Sequence, residues 1–443
     1  MRRIRRVKLS NKVNHEVTLM SNLNQLLLYT ESVHEKQRKR KFKDWILLCT
    51  ILFVSMITFY SCSDSGGTSP DLDSEPDPEE PVMEDPPPAP KLSDIVDSIR
   101  AEYNFPAMGA AIVTLEKGFT IGVSGERRLG SGVAVQNGDH WSWGSNTKAI
   151  TAFITARAVD DGLLLWDQTL EELFPEFTDE MRDEYRSVTL LDLLGHRSGF
   201  VNMNVPGIDG QSLGNGVTAS SQRMEMIEWA LQQPPNNPKG EYYYSNLGYS
   251  TVGAILERAF NETYEDWAVE HLSDFLDLET FGYGPQDADG NNEQPVSHRL
   301  TDGDWAVWEN HESTPFRRPS GGAHGSLEDW GLIIFEMMRA ENGSSNFIST
   351  EAASVINTPL SEIPGGSQYS AGWIQVGLRN WAGGEAWTHA GSNGANYSLA
   401  WVGPNAGVAF LVVVNAQDAE GITSEAANSM ISELLSYWQE WIQ

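Results

Sequence analysis

The sequence predicts an α/β (α+β) fold, in which an antiparallel sheet is flanked by the N- and C-terminal helices and an all-helical lobe is inserted between its strands. Three observations predict it. Helical periodicity opens and closes the folded part; strand-like runs follow the first helix and precede the last; and the long middle reads almost wholly at helical spacing. The junction between such a sheet and such a lobe is the usual place for a site.

In order, Leu92, Ile95, Val96 and Ile99 recur at helical spacing and predict a helix over Leu92–Tyr103. AMGAAIVT (107–114) and FTIGVS (119–124) predict two strands joined by a glycine-containing turn. Helical periodicity then runs from Thr147 to about Phe275, broken by loops at 205–216 and 234–240, so the helical lobe is expected at about 155–320. Strand-like runs return at 370–376, 397–402 and 408–414, and an amphipathic helix is expected over 424–441. No repeat or low-complexity stretch interrupts residues 92–443, which are expected to form one folded domain with two lobes.

The chain of 443 residues has 30 basic and 61 acidic side chains and a formal net charge of −31, which argues against nucleic-acid binding through phosphate neutralisation. Twelve basic residues lie within 1–43; after Ser61 the count is 18 basic against 57 acidic, a net of 18 − 57 = −39. The two cysteines, Cys49 and Cys62, both precede the folded part, so disulfides and thiolate metal sites are excluded there. The nine histidines show no metal-ligand spacing, and neither a metal nor another cofactor is expected.

The N-terminus reads as an address. A basic region (1–43) ends in KQRKRKFK, and the segment 44–61 carries the uncharged run WILLCTILFVSMITFY. This is the pattern of a secretory signal or an N-terminal anchor. Sixteen apolar residues fall short of the roughly 20 that cross a bilayer as a helix. The run stops at Ser61-Cys62 and resembles a bacterial lipoprotein signal, which implies a lipid on Cys62. An uncleaved anchor with Cys62 as a bystander is the other reading. Either places the rest of the chain outside the cytoplasm, facing periplasm or cell exterior. Residues 62–91 are rich in proline and acid and are expected to be an extended linker.

Chemistry centres on one of few lysines. Lys91, Lys117, Lys148 and Lys239 are the only ones from the end of the linker onward, and only Lys148 has a serine three residues before it, in WGSNTKAI. Such a tetrad alone is a weak signal, and a helix cap beside a surface lysine would explain it as well. The setting adds weight: Gly144 allows a tight turn and AITAFITARA continues as a helix, placing Ser145 at its N-terminus with Lys148 one turn on. Exposed backbone N–H groups there can hold an oxyanion, and a desolvated lysine can act as a base.

With Tyr244-Ser245-Asn246 at the start of another predicted helix and His389-Ala390-Gly391 in a later segment, the chain resembles the serine β-lactamase and penicillin-binding-protein group. The likeness is strongest to the branch of class C β-lactamases, D,D-peptidases and esterases, and it extends to LLGHRSG (193–199) and PSGGAHGSLED (319–329). It implies a β-lactamase-like fold, no cofactor, and a small-molecule or peptide substrate of cell-wall, ester or β-lactam type. It implies Ser145 as nucleophile, Lys148 and Tyr244 sharing the proton transfers, with the Tyr244 pKa lowered by the nearby ammonium. Asn246 would hold Lys148 and the substrate amide; the backbone N–H groups of Ser145 and Ser392, just beyond Gly391, would form the oxyanion hole.

Where β-lactamases of this group carry lysine, this chain has His389. A neutral imidazole supplies no fixed charge for a substrate carboxylate. The expectation is therefore a serine hydrolase of D,D-peptidase, D-aminopeptidase or esterase type. A true class C-type β-lactamase and a non-catalytic cell-wall-binding or receptor domain are the alternatives. His140, His196 and His324 read more readily as structural histidines than as site residues.

Overall fold

The computed structural model describes residues 89–202, 218–287, 293–308 and 314–443. The apolar run at 45–60, Cys62 and nearly all of the acidic linker lie outside the described residues. Among the described residues, no helix is long and apolar enough to cross a membrane.

Helix α1 (Leu92–Glu102) leads into the hairpin of β1 (Ala107–Thr114) and β2 (Gly118–Gly125). The short β3 (Trp141–Ser142) runs into a 3-10 turn at Gly144–Asn146 and then α2 (Thr147–Asp160). Beyond several one-turn helices, the lobe is built on α3 (Ala219–Gln232), α4 (Asn246–Phe260) and α5 (Tyr264–Leu276). It is not all-helical as expected: β4 (Gly282–Tyr283), β5 (His298–Thr301) and β6 (Asp304–Val307) follow within the same span. These strands have two to four residues, too few for a period to register in the sequence.

The chain returns through β7 (Ala323–Gly325), α6 (Leu327–Glu341) and α7 (Thr350–Asn357). It then forms β8 (Ser361–Glu362), β9 (Gln368–Tyr369), β10 (Ile374–Arg379), β11 (Gly384–Ser392), β12 (Tyr397–Gly403) and β13 (Val408–Val414). A short β14 (Ala416–Gln417) precedes the closing α8 (Ile422–Tyr437).

The main sheet has the order β2-β1-β13-β12-β11-β10-β9-β8, with every neighbouring pair antiparallel. Strands from both ends of the chain pair within it, where Met108 pairs Val414 and Thr114 pairs Val408. Because side chains alternate across a sheet, β13 divides its apolar run between two cores. Val408, Phe410, Val412 and Val414 pack with Leu92, Val96, Ala426, Met430 and Leu434 of α1 and α8. Ala409, Leu411 and Val413 face the other way, into the core shared with the lobe. A strand covered on both faces reads as a continuous apolar run, which is why β1 and β13 stand out in the sequence.

Candidate active site

Three segments meet at the junction of sheet and lobe. The first is the turn at Gly144–Asn146. Gly144 has φ +49, and a Cβ there would overlap the backbone nitrogen of Ser392. Gly391 is constrained from the other side, since its Cβ would overlap the Trp143 carbonyl oxygen. Two glycines thus bring the turn and β11 together backbone against backbone. Ser398 Oγ donates to the Trp143 carbonyl at 2.7 Å and accepts from Asn146 Nδ2 at 2.8 Å, tying the turn to β12. Trp143 stacks against Trp330 and Phe281, each with ring centroids 5.7 Å away, so the turn rests on an aromatic bed.

Lys148, on the first turn of α2, is fully buried, and Ser145 is part-exposed. The Lys148 Nζ lies 3.2 Å from Ser145 Oγ, 2.8 Å from Asn246 Oδ1 and 2.6 Å from the Ser320 carbonyl. Burial pushes its pKa well below the usual lysine value, and the Arg317 guanidinium adds to the effect. A neutral amine has two N–H groups and one lone pair. Once deprotonated, Lys148 would give its two N–H groups to the Asn246 and Ser320 oxygens, which can only accept, and keep its lone pair for the Ser145 hydroxyl. That is the geometry of a base beside an alcohol.

The second segment carries Tyr244 and Asn246. Ser245 caps α4, accepting from Gly248 N at 3.1 Å, which puts Asn246 at the first helical position. The Tyr244 hydroxyl faces Ser145, and Lys148 Nζ sits 4.7 Å from its ring centroid. The expected lowering of the Tyr244 pKa is reversed. Burial raises it, and the Ser145 hydroxyl offsets this only in part. Tyr244 is a protonated phenol at neutral pH.

The third segment is the end of β11, with His389, Gly391 and Ser392. His389 is buried, and its pKa falls to about 3, through burial first and Lys148 second. Its Nδ1–H donates to the Ala390 carbonyl at 2.8 Å, so Nε2 is the acceptor facing the Tyr369 hydroxyl at 3.3 Å. The imidazole carries no charge for a ligand. Ser145, Lys148, Tyr244, Asn246, His389, Gly391 and Ser392 therefore gather at one place; Cys62 lies outside the described residues.

The sequence reading placed His196 among structural histidines, yet its ring lies 4.3 Å from that of Tyr244 and 4.6 Å from that of Tyr369. Its Nδ1 accepts the Ser245 N–H at 3.1 Å, which fixes the proton on Nε2 and holds the Tyr244–Asn246 segment in register. Burial drives its pKa well below the ordinary histidine value, with Lys148 and His389 contributing. A non-glycine residue at φ +56, as His196 is, is uncommon. Tyr369 completes this wall, and no local pattern marks it. Among the described residues, no group of three histidine, cysteine or acidic side chains is placed to hold a metal.

A family model described as Beta-lactamase matches residues 92–430. Penicillin-binding protein 4 of Amycolatopsis lactamdurans is 24% identical over 351 residues, covering 76% of this chain and 88% of that protein. Among solved structures, the octameric penicillin-binding protein homologue from Pyrococcus abyssi matches with a TM-score of 0.63 at 21% identity, over 78% of this chain and 77% of its own. A β-lactamase from Sulfitobacter sp. EE-36 matches with a TM-score of 0.63 at 17% identity, over 78% of this chain and 98% of its own. These structural likenesses establish the fold.

Proposed function

Since this chain belongs to the β-lactamase family, within the β-lactamase and penicillin-binding-protein-like serine hydrolases, we propose that it cleaves an amide or ester through an acyl-enzyme on Ser145. The observation that carries this reading is the buried Lys148, whose Nζ lies 3.2 Å from Ser145 Oγ and whose pKa burial pushes well below the usual lysine value. Lys148 takes the hydroxyl proton as Ser145 Oγ bonds to the substrate carbonyl carbon. The carbonyl oxygen, now an anion, lies between the backbone N–H groups of Ser145 and Ser392. As the tetrahedral carbon collapses, Tyr244 gives its proton to the departing amine or alcohol and is recharged from the Lys148 ammonium. Water then attacks the acyl group, with the same residues moving the protons in the opposite sense.

The uncharged His389 favours a peptidase or esterase of D,D-peptidase or D-aminopeptidase type over an efficient β-lactamase. Hydrolysis of an activated short-chain ester by the protein and by its Ser145→Ala variant tests the chemistry. The variant should fall by at least about 10⁴-fold, towards background. Equal rates from two folded proteins would leave the non-catalytic cell-wall-binding reading in its place. If β-lactams were turned over faster than D-amino-acid peptides, the peptidase assignment would be wrong.

The basic flank, the apolar run and Cys62 support an exported protein held to a membrane by a lipid. Cell fractionation of the parent against Cys62→Ser tests this; a variant still wholly in the membrane fraction would point to the uncleaved anchor.

A further inference from the structure

The loop after β11 places a cation at the rim of the site. Gly394 lies two residues beyond Ser392, and its carbonyl accepts from Arg299 Nε at 2.6 Å. The Arg299 guanidinium lies 3.6 Å over the ring of Trp308, which is 41% exposed although large and apolar. Gly394 has φ +87, and a Cβ there would sit 2.8 Å from an Arg299 Nη. The loop is itself anchored to the segment before the catalytic turn, through Asn393 Nδ2 and Ser142 Oγ at 3.3 Å. It is fixed to the Arg299 segment by Asn396 Nδ2 with Ser297 Oγ at 2.7 Å and by His298 N with the Ala395 carbonyl at 3.2 Å.

Nine arginines of the described residues hold carboxylates. Arg299 has none among the described residues, in a chain with 57 acids after Ser61. Burial without a compensating acid lowers its pKa slightly, yet a guanidinium stays charged at any working pH. Its Nε is occupied by the Gly394 carbonyl, and among the described residues the rest of the fork meets no carboxylate, which leaves it for a planar anion.

The direction of the substrate follows from the proposed reaction, on which this inference rests. The leaving group must reach the proton of Tyr244, whose ring is 6.4 Å from that of His389. It therefore departs on the His389 side. His389 precedes Ser392 along the strand and Gly394 follows it, so the acyl part runs the other way, towards Arg299. We infer that Arg299 and Trp308 form a subsite for a carboxylate carried on the acyl part of the substrate, with the aromatic ring covering the alkyl chain that leads to it. The substrates selected are amides or esters of acyl groups bearing a distal carboxylate.

The test uses the full chain and two matched activated esters, 4-nitrophenyl hydrogen adipate and 4-nitrophenyl hexanoate. The ratio of their kcat/KM values, adipate over hexanoate, should fall by about 10- to 100-fold in Arg299→Gln, as expected for a lost charge-assisted hydrogen bond. It should largely return in Arg299→Lys, which keeps the charge. Arg379→Ala, an arginine on the opposite end of the β10–β11 hairpin from the site, should leave the ratio unchanged. Both rates falling together in Arg299→Gln, with the ratio constant, would make Arg299 a clamp for the Gly394 turn and overturn the subsite. Calorimetric titration of the same esters into Ser145→Ala reads the subsite without chemistry. Tighter binding of the adipate, lost on adding Arg299→Gln, supports it, and equal binding of the two esters overturns it. If the parent hydrolyses neither ester, the hydrolase reading fails while the titration still decides the subsite.

Discussion

Helix α4 has a fully buried cation at each end, and the two are in opposite states. At its start, Lys148 meets the Asn246 side chain and a carbonyl, and burial pushes its pKa well below the usual lysine value. Towards its end, Arg223 meets Glu257 and Glu265 at 2.5 and 2.8 Å, and its pKa rises although burial alone would lower it. Burial is the same in both. The difference lies in the partners: carboxylates sustain a buried charge, whereas neutral acceptors satisfy hydrogen bonds without doing so. One end is thereby a structural rivet and the other the base of the proposed reaction.

The largest effect should come from breaking the rivet. Arg223→Met leaves two carboxylates facing each other and should cost about 3–5 kcal/mol in denaturant unfolding. The ester-hydrolysis rate per folded molecule should hold, since Arg223 touches nothing in the site. A loss of rate without loss of stability would show that the two ends are coupled through the helix.

Making the two ends alike is a smaller perturbation. Asn246→Asp puts a carboxylate beside Lys148 and should raise its pKa by about 1–3 units. The neutral amine then becomes scarcer, so the acid limb of the pH–rate profile should move upward and the rate at neutral pH should fall about 10- to 100-fold. Recovery at alkaline pH distinguishes this from disruption of the site. A flat profile with a uniformly low rate would mean that Asn246 acts on the substrate instead.

The smallest effect, taken per pH unit, is that of each buried histidine singly. His389 and His324 have pKa values brought by burial to about 3 and about 4, from an ordinary 6.5, and His196 shifts the same way. Below pH 6.5 the unfolded chain binds protons that the folded one refuses, so stability must fall as the medium is acidified. The slope is on the order of 1.4 kcal/mol per pH unit for each histidine until its folded pKa is reached. Urea midpoints between pH 7 and 4 measure it. The slope should lessen in His324→Gln.

Legibility followed the length scale of each signal. The runs of β1 and β13 announce themselves because both faces are covered, and Ser145, Lys148, Tyr244 and Asn246 stand in short patterns. β11 mixes Gly384, Glu385, Thr388 and His389 with Trp387, and its buried positions become visible only once β10 and β12 pair beside it. Helix α6 likewise hides, because Gly331 interrupts it where it meets Phe119 and Val113. His196 is a site residue by virtue of a fold that returns Tyr244 and Tyr369 to its two sides. The direction of the Tyr244 shift is hidden for a related reason: burial of the phenol sets it, and no neighbour in the sequence reports burial.

The contact of Gly144 with Ser392 and of Gly391 with Trp143 has a consequence for how such a protein changes over time. The spacing between the serine and its facing amide is set by main chain on both sides, so no rotamer can alter it and no side-chain replacement at those points can be accommodated. Novelty must enter elsewhere. The walls formed by Tyr369 and the Arg299–Trp308 pair can be exchanged one at a time while the centre stays in calibration, so, under the proposed reaction, a single chassis can be refitted for many acyl groups.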